Sequence, residues 1–255
     1  MGKSSMLNYI RAEFYKAAHR MYTWWFLIGV LAGAGLLVAG WVYTNSLGNE
    51  VDFYSAAGIL TVMLATGLYF TLITGDIVFS EQYKFNTLKN EVSYGLPRTR
   101  IYLGKLLVSC VVAFIACVLI LCFYLGLCWL LLPRSGAMDA EMLGLLGFAI
   151  LNALPLWLGA QALVMLFLVF FKSSTVASFA FIGVIMALPQ IFKLMGLLID
   201  PIFIEARAFL LTGPFDVQLK GMDWGFFARS CAIGAGWFAA ATAVGLLTFH
   251  KREIT

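Results

Sequence analysis

The chain has 255 residues, of which 62% are hydrophobic and only 12% charged, and its mean hydropathy is +0.92. A soluble domain is about half apolar and a quarter charged, so it could not bury this much apolar surface. These values exclude a soluble catalytic domain and a disordered chain. The five cysteines are scattered singly, which excludes a disulfide framework and favours small hydrophobic side chains over metal ligands. The composition predicts a polytopic helical membrane protein.

Six apolar runs are long enough to cross a bilayer as helices, each of which needs roughly 20 residues. The runs are unbroken and do not alternate with a period of two, so helices are favoured over a β-barrel. We therefore predict an all-α fold in which residues 1–255 form a single six-span domain. The predicted spans are Tyr22–Tyr43, Tyr54–Phe79, Gly104–Leu132, Met142–Phe171, Thr175–Ile199 and Phe226–Phe249.

The Lys and Arg residues beside the spans indicate the orientation, because positive charges remain on the cytoplasmic side. Most of the 17 fall in one set of connections, whereas the other set is mainly acidic. The basic set is Lys3, Arg11, Lys16, Arg20, Lys84, Lys89, Arg98, Arg100, Lys105, Lys172, Lys251 and Arg252. We predict that both termini are cytoplasmic and that no signal peptide is cleaved. The net charge of +4 then reflects sidedness and requires no nucleic-acid partner.

An amphipathic helix is predicted within residues 1–21, before the first span. Apolar residues recur there at steps of three and four, and polar residues lie off that stripe. The apolar residues are Leu7, Ile10, Phe14, Ala17 and Met21, and the polar ones are Asn8, Arg11, Glu13, Lys16 and Arg20. The pattern fits a surface anchor that binds anionic lipid, or a lever joined to the first span.

The connection at residues 80–103 is too long and too patterned for a simple turn. Ser80 can cap a short helix, Gly95 ends it, and Pro97 suits the first turn of the next helix. The short helix has one apolar and one polar edge. The apolar edge is Tyr83 or Phe85 with Leu88 and Val92, and the polar edge is Glu81, Lys84, Lys89 and Glu91. The pattern fits either a docking helix or an interfacial hairpin with snorkelling cations.

Two strings of residues carry a family resemblance. Residues 79–90 read Phe-Ser-Glu-Gln-Tyr-Lys-Phe-Asn-Thr-Leu-Lys-Asn, and Arg98, Thr99, Tyr102 and Lys105 form an Arg-Thr-x-x-Tyr-x-x-Lys string. Together they resemble the segment between spans two and three of type-2 ATP-binding-cassette (ABC) permeases, especially the bacitracin- and lantibiotic-resistance group.

The N-terminal string Glu13-Phe-Tyr-Lys16 also resembles the Glu-x-x-Lys of that family's entry helix. The chain departs from the family pattern at Asn86, where Gly is usual, and at Pro97, where a small polar residue is common. Asn tolerates a left-handed backbone, which makes the first departure mild. The specific part of the resemblance covers about thirty residues of a shared six-span layout.

The resemblance implies a coupling helix that docks on a separate ATPase, and a connecting helix that also touches it. The expected coupling residues are Glu81, Tyr83, Lys84, Thr87, Leu88, Lys89 and Asn90, and those of the connecting helix are Arg11, Glu13 and Lys16. The chain has no G-x-x-x-x-G-K-[ST] motif, so we expect it to hold no cofactor, while the partner ATPase binds ATP and Mg²⁺.

The family also implies an assembly of two permease subunits, identical or homologous, with two ATPases in a bacterial plasma membrane. Its permeases meet through the first and fifth spans, so Gly29 and Gly33 are a candidate dimer face. Residues 200–225, with two apolar stretches too short to cross, resemble the re-entrant helices that close the external end of the pathway.

Polar residues inside the spans are candidates for a transport path. Asn152 and Gln161 in the fourth span and Gln190 in the fifth could line such a path, or could join helices by hydrogen bonds. Asp76, near the cytoplasmic end of the second span, fits a structural anchor. A path lined by Phe, Trp, Leu and Met suits an amphipathic or lipid-like cargo among membrane lipids better than a sugar or an ion. The family resemblance implies that this cargo is an amphipathic peptide.

The function that the resemblance implies is the permease subunit of an ATP-driven exporter of antimicrobial or other secreted peptides. One alternative is an intramembrane enzyme, which would need Asp, His, Ser or Cys groups clustered at one depth. The two histidines, His19 and His250, both lie beside span ends instead. The other alternative is a scaffold or sensor subunit without transport, which would share the docking segment.

Overall fold

The computed structural model describes residues 6–79, 91–93, 95–134, 140–171, 173–217, 219 and 221–251. Every regular element in these ranges is helical. The main helices are α1 (Met6–Ala18), α2 (Met21–Ser46), α3 (Phe53–Phe79), α4 (Arg98–Leu131), α5 (Ala140–Phe171), α6 (Ser174–Leu198), α7 (Ile202–Arg207) and α8 (Trp224–Lys251).

Six of these helices, α2 to α6 and α8, are long and apolar enough to cross a membrane. They coincide with the six predicted spans, so the prediction of an all-α protein with six spanning helices is confirmed. The largest difference in a boundary is at α4, which begins at Arg98 instead of Gly104. Pro97 precedes it in an extended conformation, and the fixed φ of proline and its missing N–H suit a position next to a helix start.

Helix α5 is the centre of the bundle. In an apolar stretch of 18 residues of α5, 56% of the residues are buried, compared with 6% in the corresponding stretch of α2. It packs against α8 along most of its length and against α3 and α6 on other sides. Because α2 packs mainly on α4, it lies at the edge of the bundle and most of its surface is open.

The contact between α5 and α8 is close because glycines allow the two backbones to approach. A Cβ atom added at Gly234 would overlap the carbonyl group of Pro155, and one added at Gly159 would lie 2.9 Å from the Gly234 carbonyl oxygen. Small residues permit this approach in membrane bundles, where packing contributes most to helix association. Pro155 lies inside α5 and removes one backbone N–H at this point.

Two spans depart from regular α-helix. Helix α3 contains a 3₁₀ turn at Leu64–Thr66, and α6 contains a π segment at Gly183–Ala187 shortly before Pro189. A π segment holds one more residue per turn than an α-helix, and such segments occur where a helix is perturbed. Beyond it, the C-terminal half of α6 packs against α7, with the Phe192 and Phe203 rings 6.2 Å apart.

The connection between α6 and α8 contains α7 and a 3₁₀ turn at Gly213–Asp216. An ion pair of 2.7 Å joins Arg207 to Asp216, and Trp237 Nε1 on α8 donates a hydrogen bond of 3.0 Å to the Phe209 carbonyl oxygen. The ion pair closes the connection on itself, and the hydrogen bond holds it against the middle of α8.

We expect Gly234→Ala to destabilise the protein by about 1–3 kcal/mol, because the new methyl group forces α8 away from Pro155. Thermal unfolding in detergent, followed by tryptophan fluorescence, measures the change. Gly236→Ala is the matched control, since a Cβ there meets no described atom within 4 Å and the helix is the same. Equal melting temperatures for the two variants would contradict the proposed close contact.

Candidate functional site: a buried ionic cluster

Two motif residues that are far apart in the chain meet at one end of the bundle. Lys105 Nζ on α4 donates a hydrogen bond of 2.6 Å to Glu13 Oε2 on α1. The residues are only 0% and 3% exposed, so both charges are removed from solvent. Glu13 belongs to the Glu-x-x-Lys string and Lys105 ends the Arg-Thr-x-x-Tyr-x-x-Lys string.

Three more residues, Tyr9, Lys16 and Glu91, contact this pair. We call the five residues together the ionic cluster. Lys16 Nζ lies 2.6 Å from Glu13 Oε1. Glu91 Oε1 lies 3.5 Å from Lys16 Nζ and 3.6 Å from Lys105 Nζ, and Glu91 Oε2 accepts a hydrogen bond of 3.0 Å from the Tyr9 hydroxyl. Two carboxylates thus face two ammonium groups, and their formal charges cancel.

The local sequence explains how α1 delivers its side chains to the cluster. Tyr9, Glu13 and Ala17 are spaced four residues apart, so they lie on one face of the helix, and all three are buried. The Tyr9 ring packs where Gly104 has no side chain, since a Cβ there would lie 2.6 Å from Tyr9 Cε1. Gly104 therefore lets the tyrosine approach α4 beside Lys105.

The buried face of α1 differs from the apolar stripe expected from the sequence. Leu7 and Phe14 are exposed, and Glu13, expected on the polar face, is buried. The helix also ends at Ala18, before the predicted boundary at residue 21. Burial of Glu13 is stable here because Lys105 and Lys16 both donate hydrogen bonds to its carboxylate. Arg11, the third predicted residue of the connecting helix, is exposed.

The cluster shifts the pKa values of its members on α1. Burial raises the pKa of Glu13, but the charge of Lys105 and the hydrogen bonds from Lys105 and Lys16 outweigh burial and lower it below its usual value. For Lys16, burial lowers the pKa, but the hydrogen bond and charge of Glu13 outweigh it and raise the value. Burial and the nearby carboxylates raise the pKa of Tyr9, so its hydroxyl stays protonated and donates to Glu91.

The start of α4 also binds the end of α8. An Arg98 guanidinium nitrogen donates hydrogen bonds of 3.1 and 2.6 Å to the carbonyl oxygens of Phe249 and His250. A cation at this position also compensates the negative end of the helix dipole. Tyr102, one helical turn further on, packs against Gly245 and lies near the Phe249 ring. The Arg-Thr-x-x-Tyr-x-x-Lys string thus contacts α8 through Arg98 and Tyr102, and α1 through Lys105.

The other predicted site residues fall into three groups. Those of the coupling helix, Glu81, Tyr83, Lys84, Thr87, Leu88, Lys89 and Asn90, lie outside the described residues. Gly29 and Gly33 of the predicted dimer face lie on the open side of α2, where an added Cβ meets no described atom within 4 Å. The third group is the predicted path.

The three path residues are not brought together. Gln161 is buried where α3, α4 and α5 meet. With its amide oriented to satisfy both ends, it donates to Thr74 Oγ1 at 2.9 Å and accepts from Ser109 Oγ at 3.3 Å. Asn152 is buried and donates to the Phe148 carbonyl oxygen of its own helix at 2.7 Å, and Gln190 is exposed on α6. Within the described ranges, no hydrogen bond joins any two of the three.

Asp76 on α3 contacts the start of α6. Its carboxylate accepts a hydrogen bond from the Ser174 hydroxyl at the start of α6, and so joins α3 to α6. In the part of the chain that the structure describes, no group of three or more His, Cys, Asp or Glu residues could hold a metal ion.

Sequence reasoning missed the assembly of the cluster. The sequence patterns point to other roles for Glu13, Lys16, Glu91 and Lys105, and they give Tyr9 no role. The four-residue spacing of Tyr9 and Glu13 is the one local signal that could have drawn attention to their common face.

No protein-family model and no curated protein matches the chain. The family resemblance therefore depends on the motif residues themselves.

We expect Lys105→Met to lower the free energy of unfolding by about 3–5 kcal/mol, because it leaves the buried carboxylate of Glu13 without its main partner. The double variant with Glu13→Leu should lose less than the sum of the single changes, by about 2 kcal/mol. Denaturant unfolding of the purified chain measures the cycle. Lys193→Met is the matched control at an exposed position and should change stability by less than about 0.5 kcal/mol. Strict additivity of the two cluster changes would contradict the pairing.

The pKa of Glu13 also predicts a pH dependence. A carboxylate whose pKa is lowered in the folded state stabilises the protein at pH values above 4.5, which is the ordinary pKa of a glutamate carboxyl group. This stability is lost as the pH falls through the lowered folded value. The stability difference between the native chain and Glu13→Gln should therefore be constant from about pH 8 to about 5 and shrink below that. Thermal unfolding across this range measures it, and a difference that stays constant down to the acid limit would contradict the assignment.

Proposed function

We propose that this chain is the membrane-spanning permease subunit of an ATP-driven ABC exporter, and that its ATP is hydrolysed by separate subunits. The observation that carries the proposal is the ionic cluster. It joins the N-terminal helix, Glu91 of the candidate coupling segment (residues 80–103), and the start of α4 through ion pairs. A permease needs such a connection if force applied at its surface is to reach its spans.

The proposed mechanism follows the covalent and ionic connections from the coupling segment. Residues 80–90 would contact the ATPase, and Glu91 comes directly after them. Movement of Glu91 changes its distance to Lys105 and Lys16, and so acts on α4 and α1 together. Arg98 joins α4 to the end of α8, which packs along α5. ATP binding would thereby shift the bundle between inward-open and outward-open states.

The proposed assembly contains two permease subunits, identical or homologous, and two ATPases that hold ATP and Mg²⁺. The open side of α2 around Gly29 and Gly33 supports a contact between permeases there. We place both termini and α1 on the cytoplasmic side of a bacterial plasma membrane, from the distribution of Lys and Arg. Residues 200–225 would then form the re-entrant outer segment. An amphipathic peptide, antimicrobial or otherwise secreted, is the proposed cargo.

Two other functions make different demands on the chain. An intramembrane enzyme would use Asp76, but its contact with the Ser174 hydroxyl favours a structural role. A scaffold or sensor subunit would bind the same ATPase through the same segment. It differs from a permease only in moving no cargo, so the deciding measurement is transport.

We expect Leu88→Asp to abolish copurification of the chain with its co-expressed ATPase, since a buried charge in the docking contact would be desolvated without a partner. The measurement is affinity purification followed by the ATPase activity of the eluate. Leu47→Asp is the matched control, because it adds the same charge at an exposed position after α2 and should leave copurification unchanged.

Full binding and full coupled ATPase activity of Leu88→Asp would overturn the docking assignment. If both proteins copurify but reconstituted vesicles show no ATP-dependent movement of an amphipathic peptide, the chain is a scaffold and the exporter proposal is wrong.

A further inference from the structure

A cavity of about 360 Å³ lies between α2, α3, α4 and α5, apart from the ionic cluster. Its walls are almost entirely apolar side chains, among them Phe26, Phe70 and Leu121. The volume is within the range of small-molecule sites, and a void of this size is not expected in a well-packed interior. We therefore expect a molecule to occupy the cavity.

The polar groups in the cavity wall already have partners within the protein. Six lining side chains carry a nitrogen or oxygen: Thr66, Thr71, Thr74, Tyr124, Trp157 and Gln161. The threonine and tyrosine hydroxyls and the Trp157 N–H donate to backbone carbonyl oxygens. The Gln161 amide, which donates to Thr74 Oγ1, is satisfied at both ends. Among the described lining residues, no side-chain N–H or hydroxyl group is left for a ligand, so the wall favours a hydrocarbon over a polar molecule.

The shape of the cavity fits a chain that runs along the helices. Its lining extends along α3 from Leu60 to Thr74, which is about 21 Å at 1.5 Å per residue. One leaflet of a bilayer contributes about 15 Å of the 30 Å hydrocarbon core. Five lining residues are also exposed: Gly33, Met63, Thr66, Phe114 and Leu158. The cavity therefore opens sideways at the depth of the hydrocarbon core.

We propose that this cavity binds one acyl chain of a bilayer phospholipid, which enters laterally while the headgroup remains outside. A polar headgroup would find no unpaired side-chain donor inside, and the lateral opening makes the surrounding bilayer the nearest source of hydrocarbon. The site is independent of any ATPase, so its test uses the purified chain alone.

The experiment is photocrosslinking in vesicles that contain phosphatidylcholine with a diazirine on one acyl chain. We expect adducts on the cavity-facing residues Cys110, Ala113 and Cys117 of α4, in addition to adducts on its lipid-facing residues Val111 and Val118. The lipid-facing adducts are an internal reference for folding and insertion.

The matched variants are Gly33→Phe and Gly29→Phe, both on the open side of α2 where a new side chain meets no described atom within 4 Å of its Cβ. Only Gly33 lines the cavity. Exclusion of about two methylene groups, each worth about 0.8 kcal/mol, should lower cavity labelling in Gly33→Phe about tenfold. Labelling in Gly29→Phe should equal that of the native chain. Ala113→Phe, which fills the cavity from α4, provides a second variant if Gly33→Phe fails to fold.

Three results would overturn the proposal. Adducts at Val111 and Val118 without any at Cys110, Ala113 or Cys117 would mean that no chain enters. Equal cavity labelling in Gly33→Phe and Gly29→Phe would mean that the adducts arise elsewhere. Cavity adducts with a diazirine fatty acid but none with the phospholipid would exclude the bilayer phospholipid as the source.

Discussion

The burial of Lys105 is the constraint on which one end of the bundle depends. A lysine ammonium with no solvent contact is tolerated only if carboxylates neutralise it and hydrogen bonds replace its water. The carboxylates are those of Glu13 on α1 and of Glu91 in the chain that leads into α4. Because Glu13 pairs with Lys105, α1 lies against α4, where Gly104 leaves room for the Tyr9 ring.

The same end of the bundle shows why a mechanical role is a reasonable proposal for these residues. A buried ion pair often adds little net stability compared with an apolar replacement, but it resists the removal of either partner. It is therefore suited to keeping two segments together while both move. Arg98 extends the connection to α8, and the close contact of Gly234 with Pro155 extends it to α5. The edge helix α2 is attached at its start, where Arg20 donates a hydrogen bond to the Ile77 carbonyl oxygen of α3, and otherwise packs mainly on α4. Most of its remaining surface is open to contact with other subunits or lipid.

The spans could be predicted from the sequence because hydrophobicity over about twenty residues is a local property. The hydropathy pattern places the start of α4 too late, since Arg98 and Arg100 are charged and a hydropathy criterion discards them. The cluster could not be predicted for a different reason. Glu13 and Lys105 are 92 positions apart, and a single sequence contains no information on which distant charges pair. Gln161 was correctly noted as an unusual polar residue, but whether it binds Thr74 and Ser109 or a cargo depends on packing.

The π segment of α6 has a consequence for how this helix tolerates change. An extra residue in one turn rotates everything beyond it by about 100° relative to an uninterrupted α-helix. That rotation brings Phe192 to Phe203 on α7. A related chain that lacked one residue within Gly183–Ala187 could run as an uninterrupted α-helix and would still turn the same side of its C-terminal half toward α7, because the π turn accommodates the extra residue. A chain of the present length that formed a regular α-helix here would instead turn a different side toward α7. The π turn thus determines which surface α6 offers to α7.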